Sequence, residues 1–239
     1  MLIKRKFVKL LMPSPIKTRH AEYSMVYSAD DDFSTSSDRL IEIAIESAKI
    51  AHKTSLAYVL ERTKTEKYIE IWPGEHYKFL AGIVQYLKPK LIIEIGTGKG
   101  LSSLTMKKYL SANASIVTFD IFPWKKYPGE CILKEEDFAD GRLIQYTDDL
   151  STKEGFQKHA KLLKEADFIF VDAAKDGIQE QRLIDNFKTI QFSNSPIFLF
   201  DDIRLWNMLK IWREISMPKL DITSFGHWSG TGLVEWKNS

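Results

Sequence analysis

Three carboxylates and a lysine follow two short apolar segments, and side chains of these types could act together in catalysis. Asp172 and Lys175 follow one segment, and Asp201 and Asp202 follow the next. If the two segments are neighbouring strands, the three carboxylates meet and raise each other's pKa. A hard divalent cation such as Mg²⁺ would relieve the repulsion, because it prefers oxygen ligands. The same residues also allow Asp202 to cap a helix beginning near residue 203, with Asp172 paired to Lys175 or solvated.

A glycine-rich loop supplies a second set of functional groups. The apolar segment Leu91–Ile95 runs into Gly96, Gly98 and Gly100, and a helical pattern follows. Glycines permit a tight turn and a close approach of the backbone to a ligand, and a helix N-terminus offers free N–H groups. In an open parallel sheet, ligands bind in this crevice at the carboxyl ends of the strands.

The residues around the loop favour one ligand class over the common nucleotides. A dinucleotide fingerprint requires glycine at position 101, where the chain has leucine, and a P-loop requires Gly-Lys-Ser/Thr, whereas Gly100 follows Lys99. Glu94 suits a cationic amino group, and Asp120 ends the second apolar segment, where an acid accepts hydrogen bonds from ribose hydroxyls. A cationic amino acid joined to a ribose describes S-adenosyl-L-methionine (SAM).

The segments that must position these groups alternate between strands and helices. From residue 90 onward, short apolar runs without period-2 alternation are separated by amphipathic helical patterns, which indicates an α/β fold with a parallel sheet covered on both faces. Segments 221–225 and 232–236 predict a C-terminal antiparallel hairpin. Helical periods precede residue 90, so we interpret residues 1–70 as a helical N-terminal extension and residues 71–239 as the catalytic domain. The predicted strands are residues 91–95, 115–119, 143–146, 167–171 and 196–200.

Three motifs resemble those of class I SAM-dependent methyltransferases. The stretch EIGTGKGLS at residues 94–102, followed by Asp120, is similar to the first motif of that class. FIFVDAAKD at residues 168–176 and FLFDDI at residues 198–203 resemble the strand-4 and strand-5 motifs of the catechol and caffeoyl-CoA O-methyltransferase group. The resemblance covers about residues 71–236. It implies a Rossmann-like, seven-stranded methyltransferase sheet, mostly parallel, with a C-terminal antiparallel hairpin and flanking helices.

The resemblance also implies an activity, which is transfer of a methyl group from SAM to a hydroxyl of a small molecule with a divalent metal. Asp172, Asp201 and Asp202 would bind the metal, and Asp172 and Lys175 would be catalytic. The cation would lower the pKa of the acceptor hydroxyl, and it would depress the pKa of Lys175, which takes the proton. The group normally has Asn at the position of Asp202. The added charge would either tighten cation binding or mark a branch that dispensed with the metal.

The residues expected to contact SAM come from the segment before the first strand, from the glycine loop with the residues next to it, and from the ends of later strands. Asp148 follows the third predicted strand, a usual place for contacts to the adenine ring. His76 and His227 could face the acceptor. The expected SAM-binding residues are Ile71, Pro73, Gly74, Glu94, Gly96, Thr97, Gly98, Gly100, Ser102, Asp120, Asp148 and Asp172.

Composition limits the possible partners and locations. Apolar residues make up 44% of the 239 residues and the net charge is +2, which argues against disorder and against a nucleic-acid partner. The single cysteine, Cys131, excludes an intramolecular disulfide, and no apolar run approaches the ~18 residues of a membrane span. Within residues 1–20, basic residues interrupt the apolar ones, so this segment lacks the unbroken apolar stretch of a signal peptide. We expect a cytoplasmic homodimer, in which residues 1–12 either contact a membrane surface or pack as an arm.

Three alternative functions remain open from the sequence. One is a metal-independent methyltransferase acting on a sugar, polyketide or other small metabolite, with Lys175 or His76 as base. Another is a dinucleotide oxidoreductase, against which Leu101 and Glu94 argue. A non-enzymatic module with the same fold is the third.

Overall fold

A computed structural model describes residues 34–63 and 66–238, and in this part of the chain seven strands form one mixed sheet. The strand order is β3-β2-β1-β4-β5-β7-β6. Strands β1 to β5 are parallel to one another, and β7 is antiparallel to both β5 and β6. This confirms the expected sheet with its C-terminal hairpin. The strands are β1 Leu91–Ile95, β2 Ser115–Phe119, β3 Leu143–Tyr146, β4 Phe168–Val171, β5 Ile197–Asp201, β6 Lys219–Asp221 and β7 Thr231–Glu235.

Helices cover both faces of the sheet. In the described ranges they are α1 Asp38–Lys53, α2 Ala57–Leu60, α3 Tyr77–Leu87, α4 Leu101–Tyr109, α5 Glu135–Phe138, α6 Lys153–Leu163, α7 Gln179–Phe187 and α8 Met208–Glu214. Short 3₁₀ helices span Lys67–Glu70, Trp124–Lys126 and Thr223–Phe225.

Alternate side chains of the buried strands divide the core into two clusters. Ile92 of β1 and Phe170 of β4 point to the face covered by α1, α3 and α4. Ile93 and Ile169 point to the opposite face, which α6, α7 and α8 cover. Both faces of these strands are therefore apolar, which explains why the sequence shows continuous apolar runs instead of alternation.

The described N-terminal helices share a core with the sheet. Leu40 and Ile43 of α1 belong to the same cluster as Ile92 of β1. Gly82 of α3 lies so close to α1 that a Cβ atom there would be 2.3 Å from the carbonyl oxygen of Ser47. The division at residue 70 stays a prediction, and the basic residues 1–20, with the proposed surface contact of residues 1–12, lie outside the described residues.

The first strand of the C-terminal hairpin differs from the sequence prediction. It spans Lys219–Asp221, whereas we expected residues 221–225. Oδ1 of Asp221 accepts hydrogen bonds from the backbone N–H and the hydroxyl of Thr223, at 3.0 and 2.6 Å, and the chain turns into a 3₁₀ helix. The strand begins earlier because the ammonium group of Lys219 is buried against carbonyl oxygens at the end of α8.

The helices of the described residues are too short or too polar to cross a membrane.

Candidate active site

A cavity of about 520 Å³ opens at the carboxyl ends of β1, β2 and β4. The parallel register aligns Ile95 with Phe119 and with Val171, so the loops after these three strands meet at one edge of the sheet. Of the predicted SAM-binding residues, Gly96, Thr97, Gly98, Ser102, Asp120, Asp148 and Asp172 line this cavity, whereas Ile71, Pro73, Gly74, Glu94 and Gly100 do not.

The glycine loop passes directly against the chain that leaves β4. Gly96 has a φ of +101°, and a Cβ atom there would lie 2.0 Å from the carbonyl oxygen of Asp172. Only glycine fits such a contact, since any side chain would collide with the backbone. This close approach brings the loop beside Asp172, so both border the same cavity.

Asp120 is held in place at the rim of the cavity by backbone groups. Its Oδ2 accepts a hydrogen bond from the N–H of Gly98 at 2.9 Å, and its Oδ1 accepts one from the N–H of Phe122 at 2.9 Å. Each carboxylate oxygen has a second lone pair, so the group has capacity to accept further hydrogen bonds. The carboxylate is therefore oriented before any ligand arrives.

Glu94 lies behind the loop with its side chain fully buried. Its carboxylate accepts hydrogen bonds from the hydroxyls of Ser102, at 2.5 Å, and Ser103 at the start of α4. Burial raises the pKa of Glu94 to about 7, although the hydrogen bonds from the serines and Thr118 favour the charged form. In this structure Glu94 joins the end of β1 to the beginning of α4.

The raised pKa predicts a pH-dependent loss of stability. Because the folded state keeps the Glu94 proton up to about pH 7 and the unfolded chain loses it near the usual 4.5, stability falls as the pH rises between these values. The Glu94→Gln variant should lose this component. Urea unfolding at about pH 5 and about pH 8 measures it. Glu165→Gln, at an exposed glutamate, is the control, and equal pH dependence in Glu94→Gln and the wild type would contradict the assignment.

The predicted carboxylates and Lys175 do come together. The ammonium nitrogen of Lys175 contacts Oδ1 of Asp172 and lies 3.4 Å from Oδ2 of Asp202 and 3.9 Å from Oδ2 of Asp201. Burial alone would lower the pKa of Lys175, but the three carboxylates raise it above its ordinary value. Lys175 is therefore held as a cation here, and its contact with Asp172 is the pairing that the sequence allowed as an alternative to a metal site. The depressed pKa expected beside a metal ion stays a prediction.

Two histidines complete the cluster on the other side of Asp201. Nδ1 of His76 lies 3.2 Å from Oδ1 of Asp201, and Nδ1 of His227 lies 3.5 Å from the same atom and 3.2 Å from Oδ1 of Asp202. Nε2 of His227 is 2.9 Å from Glu75. Burial disfavours the charged form of His227, but the hydrogen bonds with Asp201, Asp202 and Glu75 raise its pKa to about 11. The sequence suggested both histidines as residues facing the acceptor, and His76 also as a possible base, but gave no indication of their contact with Asp201.

The backbone is strained at two residues of this cluster. Lys175 has a φ of +63° and Asp202 has a φ of +59°, and residues with a Cβ atom rarely adopt such backbone angles. Strained conformations of this kind cost about 1–3 kcal/mol each and concentrate at functional sites. Asp202 does not cap a helix at residue 203, because α8 begins only at Met208, and its Oδ1 accepts a hydrogen bond from the hydroxyl of Ser229.

Several cavity residues were missed or only partly anticipated from the sequence. Ile71, Pro73 and Gly74 were predicted to contact SAM, but the residues that line the cavity are Tyr68 and Tyr77, one on each side of that segment. Tyr127, in the loop after Asp120, lines it as well. Asp148 lines the cavity while its Oδ2 accepts a hydrogen bond from His159 at 2.8 Å. Tyr68 lies in a short 3₁₀ helix and Tyr77 is the first residue of α3, so neither belongs to an apolar run whose period would indicate that it faces the cavity.

Solved structures with this architecture are methyltransferases. The O-methyltransferase TomG from Streptomyces achromogenes, in complex with SAM, aligns with a TM-score of 0.51 and 15% identity over 80% of this chain and 90% of its own. The SAH-bound methyltransferase PaMTH1 from Podospora anserina gives 0.50 and 18%, over 82% and 88%. A methyltransferase from Geobacter sulfurreducens gives 0.50 and 15%, over 68% and 78%. At these identities the similarity shows the fold alone.

A family model described as O-methyltransferase matches residues 45–191, which is more than half of the chain. The protein therefore belongs to the O-methyltransferase family, as the motifs at residues 94–102 and 168–176 predict. The search of curated proteins gave no significant match.

Proposed function

We propose that this protein transfers a methyl group from SAM to a hydroxyl of a small-molecule acceptor. The observation that carries the proposal is one continuous cavity. The glycine loop and Asp120 lie on one side of it, and Asp172, which contacts Lys175, lies on the other. A donor that binds the first side presents its reactive group to the second.

The loop side provides the groups that SAM requires. The carboxylate of Asp120 is oriented to accept hydrogen bonds from the two ribose hydroxyls, and Gly96 and Gly98 allow the backbone to approach the ligand. Asp148, at the end of β3, is placed for the adenine ring. Asp172 lines the cavity beside the glycine loop, where its carboxylate would attract the amino group of the methionine part. Holding both reactants in line is the main contribution of such a site, since alignment can supply about 7–11 kcal/mol.

The acceptor side provides a proton acceptor. Lys175 lies beside the cavity, and its contacts with three carboxylates stabilise its charged form. Lys175 first releases a proton to water, which becomes easier when that stabilisation is reduced, for example when an acceptor hydroxyl takes over one of the carboxylate contacts. The neutral amine then takes the proton of the acceptor hydroxyl. The deprotonated acceptor oxygen then attacks the methyl carbon, and SAH leaves.

A divalent cation fits the residues of the acid cluster and belongs to the proposal. The predicted ligands belong to two overlapping groups whose ligand atoms lie within 4.8 Å of one another: Asp172 and Asp201 with His76, and Asp201 and Asp202 with His227. Buried polar atoms are nearly always paired, so Nε2 of His76, which is buried with no hydrogen-bond partner among the described residues, indicates room for a further group. Such a cation, when bound, would lower the pKa of the acceptor hydroxyl and offset the carboxylates that hold Lys175 charged.

A second candidate is methyl transfer without a metal to a sugar, polyketide or other metabolite. It is favoured by the position of Lys175, whose ammonium group already contacts the three carboxylates. Lys175 or His76 would then be the base. The cytoplasmic location and the homodimer expected from the sequence are further parts of the proposed function.

The test is a methyl-transfer assay on the full chain. We expect SAM carrying a labelled methyl group to give SAH and a labelled product with some members of a panel of catechols, phenols and sugars, and NAD not to bind. Parallel reactions with EDTA and with added divalent metals separate the two candidates. Absence of SAM binding in calorimetry would contradict both.

A further inference from the structure

We propose that His76 and His227 are metal ligands and that the acid cluster therefore selects a divalent transition metal over Mg²⁺. This inference rests on the proposed function. It concerns which atoms of this chain hold the cation and which cation they prefer.

The oxygens of Asp201 and Asp202 face two different groups. Oδ2 of each carboxylate points to Lys175, at 3.9 and 3.4 Å. Oδ1 of each points to a histidine nitrogen. The predicted site among three carboxylates is thus filled by an ammonium group, and a mixed set of nitrogen and oxygen atoms lies on the opposite side of two of them.

The spacing within each part of this mixed set is close to that of atoms around one ion. The three nitrogen–oxygen distances between the histidines and Oδ1 of Asp201 or Asp202 are 3.2, 3.5 and 3.2 Å. Ligands that bind one ion at about 2.1 Å are separated by about 3.0–3.4 Å in octahedral or tetrahedral geometry. The ligand atoms lie within 4.8 Å of one another in two overlapping groups, one of His76, Asp172 and Asp201 and one of Asp201, Asp202 and His227, so Asp201 belongs to a possible metal site with each histidine.

A buried ring nitrogen of His76 indicates that a further group is accommodated here. His76 is 3% exposed and its Nε2 has no hydrogen-bond partner among the described residues, while its Nδ1 lies 3.2 Å from Oδ1 of the equally buried Asp201. Leaving a buried nitrogen unpaired is unfavourable, and a cation bound by this ring would compensate for that cost.

Glu75 fixes the orientation of the second histidine. It lies 2.9 Å from Nε2 of His227, so the ring turns Nδ1 towards the carboxylates. A carboxylate bonded to the far nitrogen is the usual outer partner of a metal-bound histidine. The hydroxyl of Ser229 now contacts both Nδ1 of His227, at 2.6 Å, and Oδ1 of Asp202, and rotation about its Cα–Cβ bond would release both atoms.

The donor types decide which metal is favoured. Imidazole nitrogen suits Zn²⁺, Fe²⁺, Ni²⁺ and the related Co²⁺, whereas carboxylate and water oxygens suit Mg²⁺. Mg²⁺ also demands a near-ideal octahedron of oxygen atoms. Two histidines beside two carboxylates therefore favour a transition metal.

The test uses Co²⁺ as a spectroscopic probe of the metal-free full chain. We expect one Co²⁺ to bind with a visible absorption band, and an excess of Mg²⁺ not to displace it. Glu75→Ala, which removes only the outer partner, should weaken Co²⁺ binding by about 10–100-fold. His76→Gln and His227→Gln should each weaken it further and change the band. His52→Gln, on exposed α1 surface, should change neither.

The result that overturns the inference is Co²⁺ binding no tighter than Mg²⁺, or a band that is the same in His227→Gln as in the wild type. Circular dichroism checks folding, and if the His76 variant does not fold, the more accessible His227 carries the test. SAM binding in EDTA, measured by calorimetry, keeps the two proposals apart. SAM binding without Co²⁺ binding refutes the metal centre alone, and loss of SAM binding refutes the proposed function.

Discussion

The Lys175→Arg variant is expected to turn over about 10²–10⁴-fold more slowly than the wild type, the range that a positioned general base contributes, with unchanged affinity for SAM. Arginine keeps the positive charge among Asp172, Asp201 and Asp202, so the cluster stays compensated and the domain stays folded. It cannot give up a proton in a protein, because its pKa is too high. The substitution therefore separates proton acceptance from charge balance.

Lys175→Ala would be a less informative change. It removes the ammonium group that contacts all three neighbouring carboxylates. Buried charge that is left uncompensated is strongly destabilising. A loss of activity in that variant would mix chemistry with unfolding. Single-turnover kinetics of Lys175→Arg, with SAM affinity measured by calorimetry, give the cleaner answer.

Lys188→Arg provides the matched control, because this lysine follows α7 with its side chain 48% exposed. Its turnover should equal that of the wild type. If Lys175→Arg retained full turnover, Lys175 would not be the base, and its role would be limited to neutralising the carboxylates.

The Asp120→Ala variant is expected to bind SAM about 10–100-fold more weakly, since hydrogen bonds to a charged group are worth about 1.5–3 kcal/mol. Two effects act in the same direction. The ribose hydroxyls lose their acceptor, and the N–H groups of Gly98 and Phe122 lose the carboxylate that orders the loop. Turnover at saturating SAM should fall much less than affinity.

Asp185→Ala is the control for this change, because Asp185 is 59% exposed on α7 and distant in sequence from the loop. Calorimetry with SAH, which needs no acceptor, measures both variants. Equal SAH affinity for Asp120→Ala and the wild type would remove Asp120 from the cofactor site.

The sheet could be predicted closely because its central strands are buried on both faces. The runs of β1, β2 and β3 were predicted with their observed bounds, and β4 and β5 differ by one residue. Continuous apolar runs end sharply where the chain reaches glycine or aspartate. The edge strand β6 was predicted too far along the chain. Polar residues such as Lys219 are buried there through hydrogen bonds, which a hydrophobicity pattern does not reveal.

The candidate site could be predicted only where strands fix its residues. Asp172, Asp201 and Asp202 follow neighbouring parallel strands, so their convergence follows from the sheet. His76 and His227 are far apart in sequence, and each precedes an element whose packing alone brings it to Asp201. No spacing within the chain indicates that contact. The inward direction of Glu94 likewise depends on the hydrogen bonds that the hydroxyls of Ser102 and Ser103 donate to its carboxylate at the start of α4.

A crystal structure of the protein with SAH tests the central claim most directly. We expect the nucleoside in the cavity beside the glycine loop, both ribose hydroxyls on the carboxylate of Asp120, and the sulfur directed towards Asp172 and Lys175. A ligand bound elsewhere, or an empty cavity at saturating SAH, would contradict the account.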